Sequence, residues 1–327
     1  MIRIAVAGVG HLGQHHARIL HQMEGCTLSG VYDQNKKRAR EIAERHGVPV
    51  FGTYEELLAA SDAVDIAVTT THHFTLGKAA LEAGLHVFLE KPITSELWQA
   101  EELVALAEQR NLRLGVGHIE RFNPVVLEVQ EEIGDPMFIE SHRLAPFQPR
   151  GSDVPVILDL MIHDIDLILA FVNSELTAVH ASGVSILTPS IDIANARLEF
   201  ANGAIANVTS SRVSMKYERK LRFFQKDAYI SMDFQEKSVK ILRKSANIAK
   251  LLPKIMMGGI SKVDPKEMVD IKEVDASTRQ KDALTCELEA FVSAVAAGSN
   301  PVVDGRAGLR ALRVAHQILD KIKPAKM

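Results

Sequence analysis

Short apolar runs alternate with amphipathic stretches through the first third of the chain. Met1–Val6 has the length and composition of a strand, and Gln14–Met23 carries apolar positions at helical spacing. Leu28–Tyr32 predicts a second strand, Lys36–His46 a helix and Val48–Val50 a short strand. A helix opens at Thr53, with Glu55 and Glu56 in its first turn, where carboxylates suit the helix dipole. Val64–Val68 predicts a buried strand, Phe74–Ala83 a helix stopped by Gly84, and the next apolar run leads through Val87-Phe88-Leu89 to Lys91. Ser95–Gln109 and Leu112–Gly117 add one more helix and strand. Parallel strands need crossover helices, so this alternation predicts an α/β, doubly wound parallel sheet in a domain spanning residues 1–118.

The rhythm then changes. Met137–Leu144, Leu176–Val184, Ala194–Phe200, Ala204–Ser211, Leu221–Phe224, Ala228–Asp233 and Ser238–Ile241 follow one another with few helices between them. Ala201-Asn202-Gly203 is a hairpin signal. Residues 119–327 are therefore expected to form an α+β domain on a mostly antiparallel sheet, with one substantial helix at Val156–Phe171. Its sheet would offer one face to its own helices and another to a second copy, as a homodimer or homotetramer. Ala246–Ser277 reads as an irregular excursion, and helices at Lys281–Ala297 and Gly305–Ile322 close the chain, free to pack back on the first domain.

The first strand runs into Gly8-Val9-Gly10-His11-Leu12-Gly13. Gly8 allows a tight turn, Gly10 lets a pyrophosphate approach the backbone, and Gly13 lets helix pack on strand; His11 and Leu12 complete the loop, and the helix N-terminus offers amides to phosphate. Asp33 ends the second strand pattern, 20 residues beyond Gly13, where a carboxylate accepts hydrogen bonds from an adenosine ribose diol and repels a 2′-phosphate. NAD is thus the expected cofactor, although Lys36, Lys37 and Arg38 follow and offer charge for a phosphate. Thr69, Thr70 and His73 follow the Val64–Val68 strand, and Glu90 and Lys91 end the strand through Val87-Phe88-Leu89, where open α/β sheets place their ligands.

Composition narrows the classes. With 327 residues, 46% of them hydrophobic, the chain can build two cores. A net charge of -3 without a basic stripe argues against nucleic acid. Cys26 and Cys286 are far apart and lack metal-ligand spacing, so neither a disulfide scaffold nor a metal is expected. No apolar run reaches the ~20 residues of a membrane span, and Met1-Ile2-Arg3 leads straight into the first strand without room for a signal peptide. A cytoplasmic location is expected.

The chain resembles the Gfo/Idh/MocA oxidoreductases over essentially its whole length. The resemblance rests on the glycine fingerprint, on Ala80–Pro92 with its Glu90-Lys91-Pro92, on Arg121-Phe122-Asn123-Pro124, and on Asp159-Leu160-Met161-Ile162-His163-Asp164-Ile165-Asp166. It implies a catalytic set of Lys91, Asp159 and His163. Members often carry glycine where this chain has Met161, so the adjoining substrate wall is expected to differ. The residue types suit the chemistry. Asp159 and His163, at i and i+4, would share a helix face, so the carboxylate can hold the imidazole that accepts a hydroxyl proton. Lys91 would bind the same oxygen as a point cation. For Asp164 and Asp166, a substrate contact and a solvated position are both open.

Gly117–Pro124 is similar to the segment in members that oxidise the 3-hydroxyl of UDP-N-acetylglucosamine on the route to diamino-sugar lipid A. That likeness implies a nucleotide-sugar substrate bound with help from Arg121, Asn123 and Arg143, with Arg150, Lys216 and Arg219 as further basic groups for a diphosphate. A dehydrogenase of a free sugar, inositol or another small carbonyl compound is the alternative, and an NAD(H)-binding regulator without turnover is a second.

Overall fold

In the computed structural model, the apolar runs of the N-terminal third pair in parallel. Strands β1 (Ile2–Ala7), β2 (Cys26–Tyr32), β3 (Ala63–Ile66), β4 (His86–Glu90) and β5 (Leu114–Gly117) lie in the order β2-β1-β3-β4-β5. Their centres read as continuous apolar sequence because both faces are covered: Ile4, Val6, Val64, Ile66, Val87, Leu89 and Val116 are wholly buried. The intervening helices are α1 (Gly13–Gln22), α2 (Lys36–His46), α3 (Tyr54–Ala59), α4 (His73–Glu82) and α5 (Leu97–Gln109). Asn35 caps α2 by accepting the Arg38 amide, and Thr53 with Glu56 makes a capping box for α3. The expected strand at Val48–Val50 does not form. Only Val50 bridges to Val31, and Pro49, which has no N–H, contributes its carbonyl to the Val31 amide at 3.0 Å.

The structure describes residues 1–148, 154–245, 253, 256, 265–278 and 281–322. Met1–Phe122 and Lys281–His316 make one compact unit, and Asn123–Gln280 with Gln317–Met327 makes a second. In the first, helix Ala283–Ala297 places Phe291 against Phe88, ring centroids 5.4 Å apart, and Leu288 and Val292 join the same core as Ile4 and Val6.

The second unit carries an eight-stranded sheet. It comprises β6 (Phe138–Leu144), β7 (Leu176–Val184), β8 (Ile193–Phe200), β9 (Ile205–Ser211), β10 (Glu218–Phe224), β11 (Ala228–Asp233), β12 (Ser238–Lys244) and β13 (Val269–Asp275), in the order β13-β12-β11-β10-β6-β9-β8-β7. Every pairing is antiparallel except β6 with β9. Strand β13 corrects the expectation of an excursion over Ala246–Ser277, most of whose earlier part lies outside the described residues. It is an edge strand with mostly exposed side chains, so burial imposes no alternation on Val269-Asp270-Ile271-Lys272-Glu273-Val274-Asp275.

Along β6, β8, β9 and β11 every second residue is buried, which marks one covered face. Helix α7 (Ile162–Phe171) covers part of that face, with Phe171 edge-on to Phe223 at 5.4 Å. A short helical turn, α6 (Pro124–Leu127), precedes the sheet. The single helix expected over Val156–Phe171 is instead a π-helical turn at Ile157–Met161 followed by α7. No helix among the described residues is long and apolar enough to cross a membrane.

Candidate active site

In the first unit, the carboxyl ends of four adjacent strands carry the residues singled out in the sequence: Asp33 after β2, Gly8 after β1, Thr69 after β3 and Lys91 after β4. This edge is where open α/β sheets bind ligands. Gly8 has φ +89°, and a Cβ on Gly13 would lie 1.8 Å from the Gly8 carbonyl oxygen, so neither position accepts a side chain. Gly10 is the opposite case. A Cβ there would meet nothing within 4 Å, so the loop backbone is open to an approaching group. His11 and Leu12 are exposed beside it, and no side chain caps the α1 N-terminus. These features fit a dinucleotide diphosphate held on backbone amides and a helix dipole.

Asp33 is fixed by backbone donors. The Val9 amide donates to Oδ2 at 2.9 Å and the Asn35 amide to Oδ1 at 2.8 Å. A carboxylate has about four lone-pair sites, so capacity remains for a ribose diol. Two of the three basic side chains that follow are engaged locally. Arg38 donates to the Val9 carbonyl, Glu41 and Gln14, and Lys36 donates to the Gly52 carbonyl and lies over the Tyr32 ring.

Thr69 precedes a turn at Thr70–His72, its hydroxyl 3.4 Å from that of Thr71. His73 is buried. Its Nδ1 lies 3.0 Å from the Pro92 carbonyl and its Nε2 3.2 Å from the Val68 carbonyl, and a neutral ring has one N–H to donate to one of the two. Burial pushes its pKa down, which leaves it neutral near pH 7. Glu90 and Lys91 are both half-buried, and the Lys91-Pro92 peptide is cis.

A set of side chains not picked out from the sequence sits behind the Lys91-Pro92 turn. His16, on α1, places Nδ1 2.7 Å from Asp65 Oδ2 and Nε2 3.2 Å from Glu90 Oε1. His16 and Asp65 are wholly buried. Burial alone would lower the His16 pKa, but the two carboxylates raise it well above the ordinary histidine value. For Glu90 burial acts upward and is outweighed by the close approach and charge of His16, with the Lys91 charge adding to the lowering. The legible signal was Asp65, a carboxylate inside the apolar run Ala63-Val64-Asp65-Ile66, since a buried charge demands a partner.

In the second unit, Asp159 lies in the π turn and His163 in the first turn of α7; both are half-buried. The π turn corrects the picture of one regular helix carrying both on a shared face, and π turns recur at functional sites. Arg212 is buried, donates to the Val154 carbonyl at 2.6 Å and comes within 3.9 Å of Asp159. Asp164 and Asp166 are buried, so neither is a solvated position. Arg143, expected beside substrate, is buried on β6 and forms a two-pronged pair with Asp164 at 2.8 and 2.9 Å. Asn123 caps α6, accepting the Val125 amide at 3.1 Å. Arg121, in the first unit, is half-buried in the turn Ile119–Phe122. Lys216 pairs with Glu218, Arg219 is exposed, and Arg150 lies outside the described residues.

Comparison with known proteins places the chain in a family. Residues 2–118 match the oxidoreductase family with an NAD-binding Rossmann fold, and residues 129–231 match the GFO/IDH/MocA C-terminal domain. The chain is 37% identical over 318 residues to the UDP-N-acetylglucosamine 3-dehydrogenase of Acidithiobacillus ferrooxidans, covering 97% of this chain and 96% of that protein. A solved structure of that enzyme superposes with a TM-score of 0.88, over 98% of this chain and 97% of its own, at 36% identity. The myo-inositol 2-dehydrogenase of Thermotoga maritima is 25% identical across 96% of this chain and 94% of that protein. The chain belongs to the Gfo/Idh/MocA oxidoreductases, with their NAD-binding Rossmann fold as its N-terminal part.

Proposed function

We propose that this protein oxidises the 3-hydroxyl of UDP-N-acetylglucosamine, or of a closely related nucleotide-linked amino sugar, to the 3-ketone, on the route to diamino-sugar lipid A. The observation that carries this reading is the likeness, extending over nearly the whole chain, to an enzyme of that name. NAD, when bound, takes the hydride from the carbinol carbon. Gly8, Gly10 and Gly13, with His11 and Leu12, would hold the diphosphate of the cofactor, Asp33 its ribose, and Thr69, Thr70, His73 and Glu90 would border its nicotinamide half.

Lys91, Asp159 and His163 form the catalytic set in this reading. His163 takes the hydroxyl proton, and the alkoxide character this gives the oxygen drives the hydride off the same carbon as the ketone forms. Asp159 orients the imidazole and balances the imidazolium charge. Lys91 donates to the same oxygen and stabilises its developing negative charge. Arg121 and Asn123 would contact substrate, and Arg143 would act on it indirectly, by fixing Asp164 next to His163. The exposed face of the second unit's sheet is the surface on which a homodimer or homotetramer would form.

Steady-state assays of NADH formation test the reading. Turnover is expected with UDP-N-acetylglucosamine and not with free N-acetylglucosamine or inositol; clear preference for inositol would replace the substrate, and no hydride transfer to NAD from any sugar would favour a cofactor-binding regulator. Lys91→Met and His163→Ala should each lower turnover by at least about 10²-fold with NAD affinity retained, the usual scale for a general acid or base. Rates near wild type would remove those two roles.

A further inference from the structure

The buried group behind Lys91 is costly without a purpose. The Asp65 carboxylate and the His16 imidazole are wholly withdrawn from water in the core of the first unit, with the half-buried Glu90 carboxylate beside them, where apolar side chains often fold as well. They join three elements. His16 comes from α1, the helix whose N-terminus belongs to the glycine fingerprint; Asp65 comes from β3; Glu90 ends β4, one residue before Lys91. Glu90 is boxed in on its far side too. A Cβ on Gly117 of β5 would come 3.1 Å from its Cδ and its Oε2, so only glycine leaves the carboxylate where it stands. From that place Glu90 accepts the Lys91 backbone amide at 3.3 Å, and the charge of Lys91 helps to hold its carboxyl below the usual range.

We propose that His16 is a positioning residue for the reaction: held between Asp65 and Glu90, it keeps Glu90 anionic and fixed, and through Glu90 it sets the charge and place of the Lys91 ammonium. The inference rests on the catalytic reading of Lys91 given above. The groups that bear on it are Asp65 and Glu90 around His16, and His16, Lys91 and the neutral ring of His73 around Glu90. Without His16, burial governs Glu90, the carboxylate takes up a proton, and Lys91 loses its anionic neighbour.

The test reads Lys91 directly and then reads turnover. Reductive ¹³C-methylation of the full-length protein gives each lysine a titratable NMR signal, with that of Lys91 identified by its loss in Lys91→Met. In His16→Gln and in Glu90→Gln the Lys91 midpoint should fall by about half a unit or more, since a nearby opposite charge is worth about one to three units. An unchanged midpoint in folded His16→Gln overturns the proposal. In turnover with UDP-N-acetylglucosamine and NAD, His16→Gln should lose about tenfold in kcat while changing NAD affinity less than about threefold, and should cost less than about twofold in the Lys91→Met background, as coupled residues do in a double-mutant cycle. An equal loss in both backgrounds also overturns it. Near-normal turnover of Lys91→Met would sink the catalytic reading alone, because the midpoint measurement still judges His16. If His16→Gln does not fold, Gly117→Ala presses on the same carboxylate from the other side; its Lys91 midpoint should also fall, and no change counts against the proposal.

Discussion

Each unit of this protein buries a charge pair one residue away from a proposed catalytic group, and the two pairs are chemically unlike. In the second unit Asp164, which follows His163, receives both prongs of the Arg143 guanidinium. In the first unit Glu90, which precedes Lys91, meets an imidazole that also serves Asp65. Arginine stays charged at any pH the fold survives, so its pair is a fixed strut. Histidine holds its charge only because two carboxylates raise its pKa, so the first unit's pair is conditional on pH. The proximity of a buried ion pair to a reactive group therefore has two meanings, rigid support in one unit and adjustable electrostatics in the other.

The largest expected effect breaks the arginine pair. Asp164→Ala leaves a buried guanidinium without its carboxylate and should cost about 3–5 kcal/mol in denaturant unfolding, the scale for removing one partner of a buried pair. Because an arginine stays charged throughout this range, the loss should be the same from about pH 6 to pH 9. A loss below about 1 kcal/mol, the value of an exposed ion pair, would mean that the strut is not structural.

A smaller and pH-dependent effect is expected in the first unit. His16→Gln keeps a hydrogen-bonding side chain and lets Glu90 neutralise itself, so the loss near pH 7 should be about 1–3 kcal/mol. Its sign follows from the two directions of shift. The His16 pKa is raised on folding, so its contribution is complete below the unfolded value near 6.5 and is lost as pH rises through the raised value. The Glu90 pKa is lowered, so its contribution is present above the unfolded value near 4.3 and is lost as pH falls through the lowered value. Unfolding of both proteins at several pH values should show the gap widest between those limits and narrowing in strongly alkaline solution. A gap that does not narrow there would show that His16 is not held as an imidazolium.

The same contrast explains what could be read from the chain. The parallel sheet was legible because burial on both faces leaves uninterrupted apolar runs, and the glycine fingerprint because a 1.8 Å approach at Gly13 excludes every side chain. The antiparallel sheet was legible where one face is covered and the period of two survives. Strand β13 was not, since an exposed edge imposes no period. At the site, residue types at strand ends pointed to Asp33 and Lys91, but the partners of Asp65 and Asp164 come from positions far away in sequence. A buried carboxylate announces that it needs a cation without naming it, which is why Arg143 was read as a phosphate ligand and His16 was passed over. The π turn at Ile157–Met161 had no sequence signature, because Ile157, Leu158, Leu160 and Met161 around Asp159 suit a regular buried helix equally well.

A third carboxylate sharpens the comparison because backbone amides, not a buried cation, hold it. Asp33 is held by the Val9 and Asn35 amides, an arrangement that fixes its position and leaves acceptor capacity. If that capacity serves the adenosine ribose, Asp33→Asn should weaken NAD binding by only about threefold to tenfold, roughly 1 kcal/mol, the net value of one hydrogen bond. Removing the negative charge should improve NADP binding at the same time, because a 2′-phosphate then meets no carboxylate. Fold stability should change less than in Asp164→Ala or His16→Gln, since no buried charge pair is broken. Paired measurements of NAD and NADP dissociation constants decide the matter: parallel weakening of both cofactors would show that Asp33 only shapes the loop, whereas opposite changes would make it the ribose ligand.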